Sequence, residues 1–183
     1  MRFFRRIIVL MIAACALVLF CTQMLTPPNY PRVIIDHVGR AVPVPHEIRK
    51  VYATTQAGSM LVYALNPELL LAWNTALPPN MEYVFGNKAR ALPTLGTWDD
   101  VYKTVQLDEI AALKPDVVIH LAVPDLPTLD LAIQIEEALG IPTVVVDGSL
   151  EAIPSSLRFL SQILGSQVRA DALALFAENS LNR

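Results

Sequence analysis

Twice in this chain an amphipathic helical period runs, across a short break, straight into an unbroken run of apolar, mostly β-branched residues. In residues 107–114 (LDEIAALK) the apolar positions recur at helical spacing, Pro115 with Asp116 ends the helix, and VVIHL follows at 117–121. Residues 128–139 repeat the amphipathic pattern, Gly140 stops it, Pro142 leads on, and TVVV at 143–146 forms the second run. A strand that is apolar along its whole length is suited to burial on both faces, and such strands separated by helices build parallel βαβ units with right-handed crossovers. The predicted fold class is therefore α/β, a Rossmann-like and mainly parallel sheet lobe.

Weaker signals surround this frame. Residues 32–45 (RVIIDHVGRAVPVP) read as a hairpin turning at Gly39 and Arg40, with Pro43 and Pro45 keeping it at an edge. A short strand at 51–54 runs into the turn 55–59, and a helix over 60–65 is closed by Asn66 and Pro67. LLLAW at 69–73 suits another buried strand, a helix is expected within 80–90, and 95–98 reads as a strand end or loop. From Glu151 to Leu181 the pattern is nearly continuous helix, interrupted at Gly165 and Ser166, with no strand after it.

Before the lobe, Arg2, Arg5 and Arg6 precede an uncharged apolar stretch at 7–25, the make-up of an export signal or of a retained membrane anchor. Ile12, Ala13, Ala14 and Cys15 resemble a lipoprotein box, which makes Cys15 the lipidation candidate; small residues around it also suit ordinary signal cleavage. The predicted organisation is a signal peptide or anchor at 1–25, a proline-rich linker at 26–31, an α/β lobe at 32–150 and a helical region at 151–183. Both cysteines, Cys15 and Cys21, fall in the first segment, so the body has neither a disulfide nor a thiolate metal site. With 14 Lys and Arg against 17 Asp and Glu, and with three of those arginines in the export segment, the body is acidic and no nucleic-acid partner is expected.

In open parallel sheets ligands lie beyond the carboxyl ends of the strands. That rule nominates the loops 55–59, 74–79, 96–100, 122–127 and 147–150, and with them Thr55, Gln56, Ser59, Asn74, Trp98 and Val123 as candidate ligand contacts. Thr55 and Ser59 sit where they either cap a helix or join its free amides in receiving an anionic or carbonyl group. Trp98 either stacks on a planar ligand or packs in the core. Ser59 has no GxSxG setting or triad partners, no dinucleotide or P-loop fingerprint occurs, and His37, His46 and His120 are scattered. Neither an enzyme, nor a cofactor, nor a resident metal is expected.

The order of pieces, with D-x-x-G-R-x-V-x-V-P at 36–45, Gly96, Thr97 and Trp98, LDEIAALKPDVVI at 107–119 and GIPTVVVD at 140–147, resembles the periplasmic binding proteins that serve ABC importers of iron–siderophores, haem and cobalamin. The resemblance implies two Rossmann-like lobes joined by a long helix, with the ligand held between them. Here it covers the first lobe and the connecting helix, placed at 151–181, and implies that the second lobe is missing. It also implies non-covalent capture of an iron chelate or cobalamin, delivery to an ABC permease, and an extracytoplasmic location tied to the membrane by the N-terminal segment. Asp108 matches the acidic residue that pairs with permease arginines, although an Asp at a helix start also suits the helix dipole. The competing function is a membrane-tethered remnant or interaction domain that binds no small molecule.

Overall fold

The computed structural model describes residues 31–99 and 103–182; the predicted export segment, Cys15 and nearly all of the linker lie outside the described residues. Three strands, β3 (Val51–Ala53), β4 (Val117–Ala122) and β5 (Thr143–Asp147), form a parallel sheet in the order β3-β4-β5. Val51 pairs with Val117 and Val118 with Thr143, and the register runs on to Ala122 opposite Asp147. Apart from the last residues of β4 and β5 every position of these strands is buried, as their apolar runs require.

Helices cover both faces. On one, α1 (Gln56–Leu65) and the C-terminal helices α5 (Ile153–Leu164) and α6 (Gln167–Leu181) share a core with Val51, Ile119, Val144 and Trp73. On the other, Ile110 of α3 (Leu107–Leu113) and Leu131 and Ile135 of α4 (Leu126–Leu139) pack with Tyr52, Val118 and Trp98. The region expected as one interrupted helix is thus two helices that turn at Gly165, whose φ of 77° suits a residue without Cβ, and pack against each other. Arg158 of α5 ties them by pairing with Asp171 and Glu178 of α6.

The sheet also extends past β3, but not as a regular strand. Val51 N–H donates to the Leu69 carbonyl (2.8 Å) and Leu71 N–H to the Val51 carbonyl (3.0 Å), and beyond them Trp73 N–H reaches Pro93 and Leu95 N–H reaches Trp73, both at 2.9 Å. LLLAW therefore pairs on both sides through single parallel bridges, Val51 with Leu70 and Trp73 with Thr94, and has no longer ladder. The helix expected within 80–90 is divided into a 3-10 turn at Pro79–Val84 and the short α2 (Asn87–Arg90).

At the opposite edge, β1 (Arg32–Ile35) and β2 (Ala41–Val44) form the antiparallel hairpin, and its tip closes β5. Val145 N–H reaches the Asp36 carboxylate (3.3 Å), His37 N–H donates to the Val145 carbonyl (3.2 Å), and Asp147 N–H donates to His37 Nδ1 (2.7 Å). Arg40 donates to the Thr143 carbonyl and pairs with Asp36 at 2.9 Å, the Asp36 side chain being fully buried. An edge that would otherwise offer free donors and acceptors is covered. Among the described residues no helix is long and apolar enough to cross a membrane.

Candidate functional site

The carboxyl edge of the sheet is a polar floor with an apolar rim. Thr55 occupies the N-cap of α1 in extended conformation and its hydroxyl accepts from Gly58 N–H at 3.2 Å. A Cβ at Gly58 would stand 3.2 Å from Ala53 Cβ and Thr55 Oγ1 and 3.4 Å from Leu121 Cβ, a tight fit that shows how closely the helix start sits on the sheet.

Beneath this turn lies a knot of buried polar groups. Ser59 Oγ donates to Asn74 Oδ1 (2.6 Å), and Asn74 Nδ2 donates to the carbonyls of Ala53 (2.9 Å) and Gly96 (2.8 Å). Tyr52 adds its hydroxyl to the same Gly96 carbonyl (3.0 Å), and burial pushes its phenol well above the ordinary tyrosine value, so it remains a protonated donor. Thr54 Oγ1 and His120 Nδ1 stand 2.7 Å apart beside them. The hydrogen bonds of Ser59, Asn74 and Tyr52 fix the geometry of the loops above them.

The expected contacts separate accordingly. Ser59 and Asn74 are buried in the knot, where their hydrogen-bonding groups are already engaged. Trp98 is 3% exposed and packs with Tyr52, Leu95, Val118 and Leu131, with Lys103 Nζ 4.0 Å from the ring centroid. It is a core residue rather than a presented stacking face, and its backbone N–H donates to the Thr54 carbonyl at 2.9 Å. Thr55 and Gln56 are half-buried, and Gln56 accepts from Thr75 N–H at 3.2 Å, linking two of the nominated loops.

Val123 does lie open, 59% exposed just past the end of β4. Around the same carboxyl ends Leu126 is 75% and Leu150 66% exposed. The sequence reading missed both leucines, although each stands at the start of a helical turn in a nominated loop. None of these loops contains Lys or Arg. Arg49 and Lys50 lie before β3, at its opposite end, where both backbone N–H groups bond the Asp116 carboxylate. Asp108 is exposed in the first turn of α3. Among the described residues no group of His, Cys, Asp and Glu is arranged to hold a metal ion.

No family profile and no curated protein sequence matches this chain. Solved structures do. An ABC transporter solute-binding protein from Sulfurospirillum deleyianum superposes with a TM-score of 0.72 at 24% identity, over 82% of this chain and 47% of that one. A periplasmic solute-binding protein from Veillonella parvula gives 0.65 at 25% identity, over 83% and 46%. A periplasmic haem-binding protein from Pseudomonas aeruginosa gives 0.53 at 25% identity, over 75% and 46%. The chain spans about half the length of the proteins it matches, and over that span it has the α/β fold of the periplasmic solute-binding proteins of ABC importers.

Proposed function

We propose that this chain supplies one ligand-facing wall of a substrate-binding component for an ABC importer, on the extracytoplasmic side of the membrane, and that its cargo is a bulky metal chelate: an iron–siderophore, haem or cobalamin. The observation that carries this reading is the carboxyl edge of the sheet, where Val123, Leu126 and Leu150 are exposed and the loops contain no Lys or Arg. Such a rim gives up apolar surface to a large, weakly charged ligand and offers nothing to neutralise a compact, multiply charged anion. The fold likeness supports the same class, since a haem-binding protein is among the structures matched.

Capture is non-covalent. Val123, Leu126 and Leu150 supply apolar contact, Thr55 and Gln56 supply polar groups at the start of α1, and the knot of Ser59, Asn74, Tyr52 and Gly96 keeps the loops in place. Asp108, exposed on α3, is the residue proposed to meet a basic permease surface, and the N-terminal segment with Cys15 is proposed to deliver the chain to the membrane.

The test is a titration of the full chain with haemin, cyanocobalamin and ferric siderophores, followed by quenching of its tryptophans. Saturable quenching by one of them, weakened by Val123→Asp, is the expected result; no response to any of the chelates overturns the reading. A second reading, an interaction domain without a small ligand, draws on the exposed apolar face of α6 at Val168, Leu175 and Phe176. It predicts association with no chelate response.

A further inference from the structure

Beside the Leu69–Trp73 segment the protein holds a cavity of about 460 Å³ whose walls include Trp73, Leu77 and Leu92, with Asn87, Arg90 and Thr94 as its polar members. That volume is within the range of small-molecule sites, about 300–1,000 Å³. None of Thr55, Gln56, Ser59 and Trp98 lines it. The Trp73 indole N–H is already spent on the Ala89 carbonyl (2.8 Å), and its ring, 1% exposed, is fixed beneath the cavity, so that the half-buried Leu77 and Leu92 supply the apolar surface.

Arg90 differs from every other arginine among the described residues. Arg40, Arg49 and Arg158 pair with carboxylates. Arg32 and Arg169 donate to backbone carbonyls at the C-terminal ends of α5 and α1. The guanidinium of Arg90 is held only by the neutral side chain of Asn87 among the described residues, and no Asp or Glu lines the cavity. Asn87 orients the guanidinium without neutralising it, and a planar guanidinium left in that state matches a carboxylate through paired N–H donors.

We propose that this cavity is a binding site for a small organic monoanion with a flat apolar body, an aromatic carboxylate, whose ring lies against Leu77 and Leu92 and whose carboxylate pairs with Arg90. Leu77 belongs to the nominated loop 74–79, but the proposal does not rest on the transport reading, because its charged residue, Arg90, lies outside the nominated loops and it is tested without any metal chelate.

The test is calorimetric titration of the full chain with 1-naphthoate and with its neutral isostere 1-naphthamide. The proposal expects naphthoate to bind at least about 10-fold more tightly than naphthamide. Arg90→Gln abolishes that preference, Arg90→Lys retains part of it, and Leu77→Trp, which fills the cavity and leaves the charge in place, blocks both ligands. Arg90 is exposed on a four-residue helix, so unchanged far-UV circular dichroism is expected of its variants. Equal affinity for acid and amide, no binding of either at millimolar concentration, or an unchanged preference in Arg90→Gln overturns the proposal.

Discussion

Replacing Gly96 by alanine strikes the loop system at its centre. Gly96 has φ of +88°, and a Cβ there would stand 2.2 Å from the Thr104 carbonyl oxygen and 2.9 Å from Val105 Cα, both backbone atoms that have no rotamer by which to withdraw. A left-handed φ costs an L-residue about 1–2 kcal/mol and relief of the overlap about 1–3 kcal/mol. The Gly96 carbonyl also accepts from Tyr52 and Asn74, so moving the loop weakens two buried hydrogen bonds worth about 1 kcal/mol each. Gly96→Ala is therefore expected to destabilise by about 3–6 kcal/mol in all. Gly140 is the control: its φ of +66° carries the same conformational cost, but no atom lies within 4 Å of a Cβ built there, and about 1–2 kcal/mol is expected. Urea unfolding of the full chain, followed by tryptophan fluorescence, separates the two. Gly96→Ala should lose at least about 2 kcal/mol more than Gly140→Ala, about 1 M in midpoint at a slope of about 2 kcal/mol/M. Variants that differ by less than about 1 kcal/mol would refute the close-approach argument.

Removing the buried Asp36 carboxylate by Asp36→Ala strips Arg40 and Val145 N–H of a partner; a loss of about 3–5 kcal/mol is expected, with faster hydrogen exchange at Val145 and Asp147 if the hairpin tip leaves β5. Ser59→Ala leaves Asn74 Oδ1 buried without its 2.6 Å donor and should cost about 1–3 kcal/mol in urea unfolding while changing chelate affinity little. Arg158 holds the Glu178 carboxyl below the ordinary carboxylate range, chiefly by its hydrogen bond. Because the folded value is the lower one, the pair's contribution is complete above the unfolded-state value and is lost as pH falls through the folded value, so NMR titration should show Glu178 moving back up in Arg158→Gln. On α6, Val168 is 87% and Phe176 72% exposed; Phe176→Lys should lower self-association in sedimentation equilibrium, and an unchanged distribution would show that this face is not a contact.

The central sheet was readable because β4 and β5 are apolar at nearly every position and each follows an amphipathic helix with its own stop, Lys114 and Gly140 both taking left-handed φ. LLLAW carries the same apolar signal but acquires only single bridges, since its outer neighbour offers just Pro93, Thr94 and Leu95 before Gly96 turns the chain. The break at Gly165 was visible, whereas the packing of α6 back onto α5 depends on Arg158 meeting residues on the next helix. Trp98 shows where local pattern stops being informative: it falls in the nominated loop 96–100, but its ring is enclosed by Tyr52, Val118 and Leu131, residues distant in sequence. The same holds for Asn74 and Ser59, whose roles come from a hydrogen bond to each other and not from any motif.

The most direct test of the proposed ligand-facing edge is hydrogen exchange of the full chain with and without whichever chelate quenches it. Binding at the carboxyl edge should slow exchange in 54–59, 122–127 and 147–150 and leave the opposite end of the sheet, around Arg49, Lys50 and Asp116, unchanged. Protection confined to that opposite end, or no protection at any of these loops, would contradict the account.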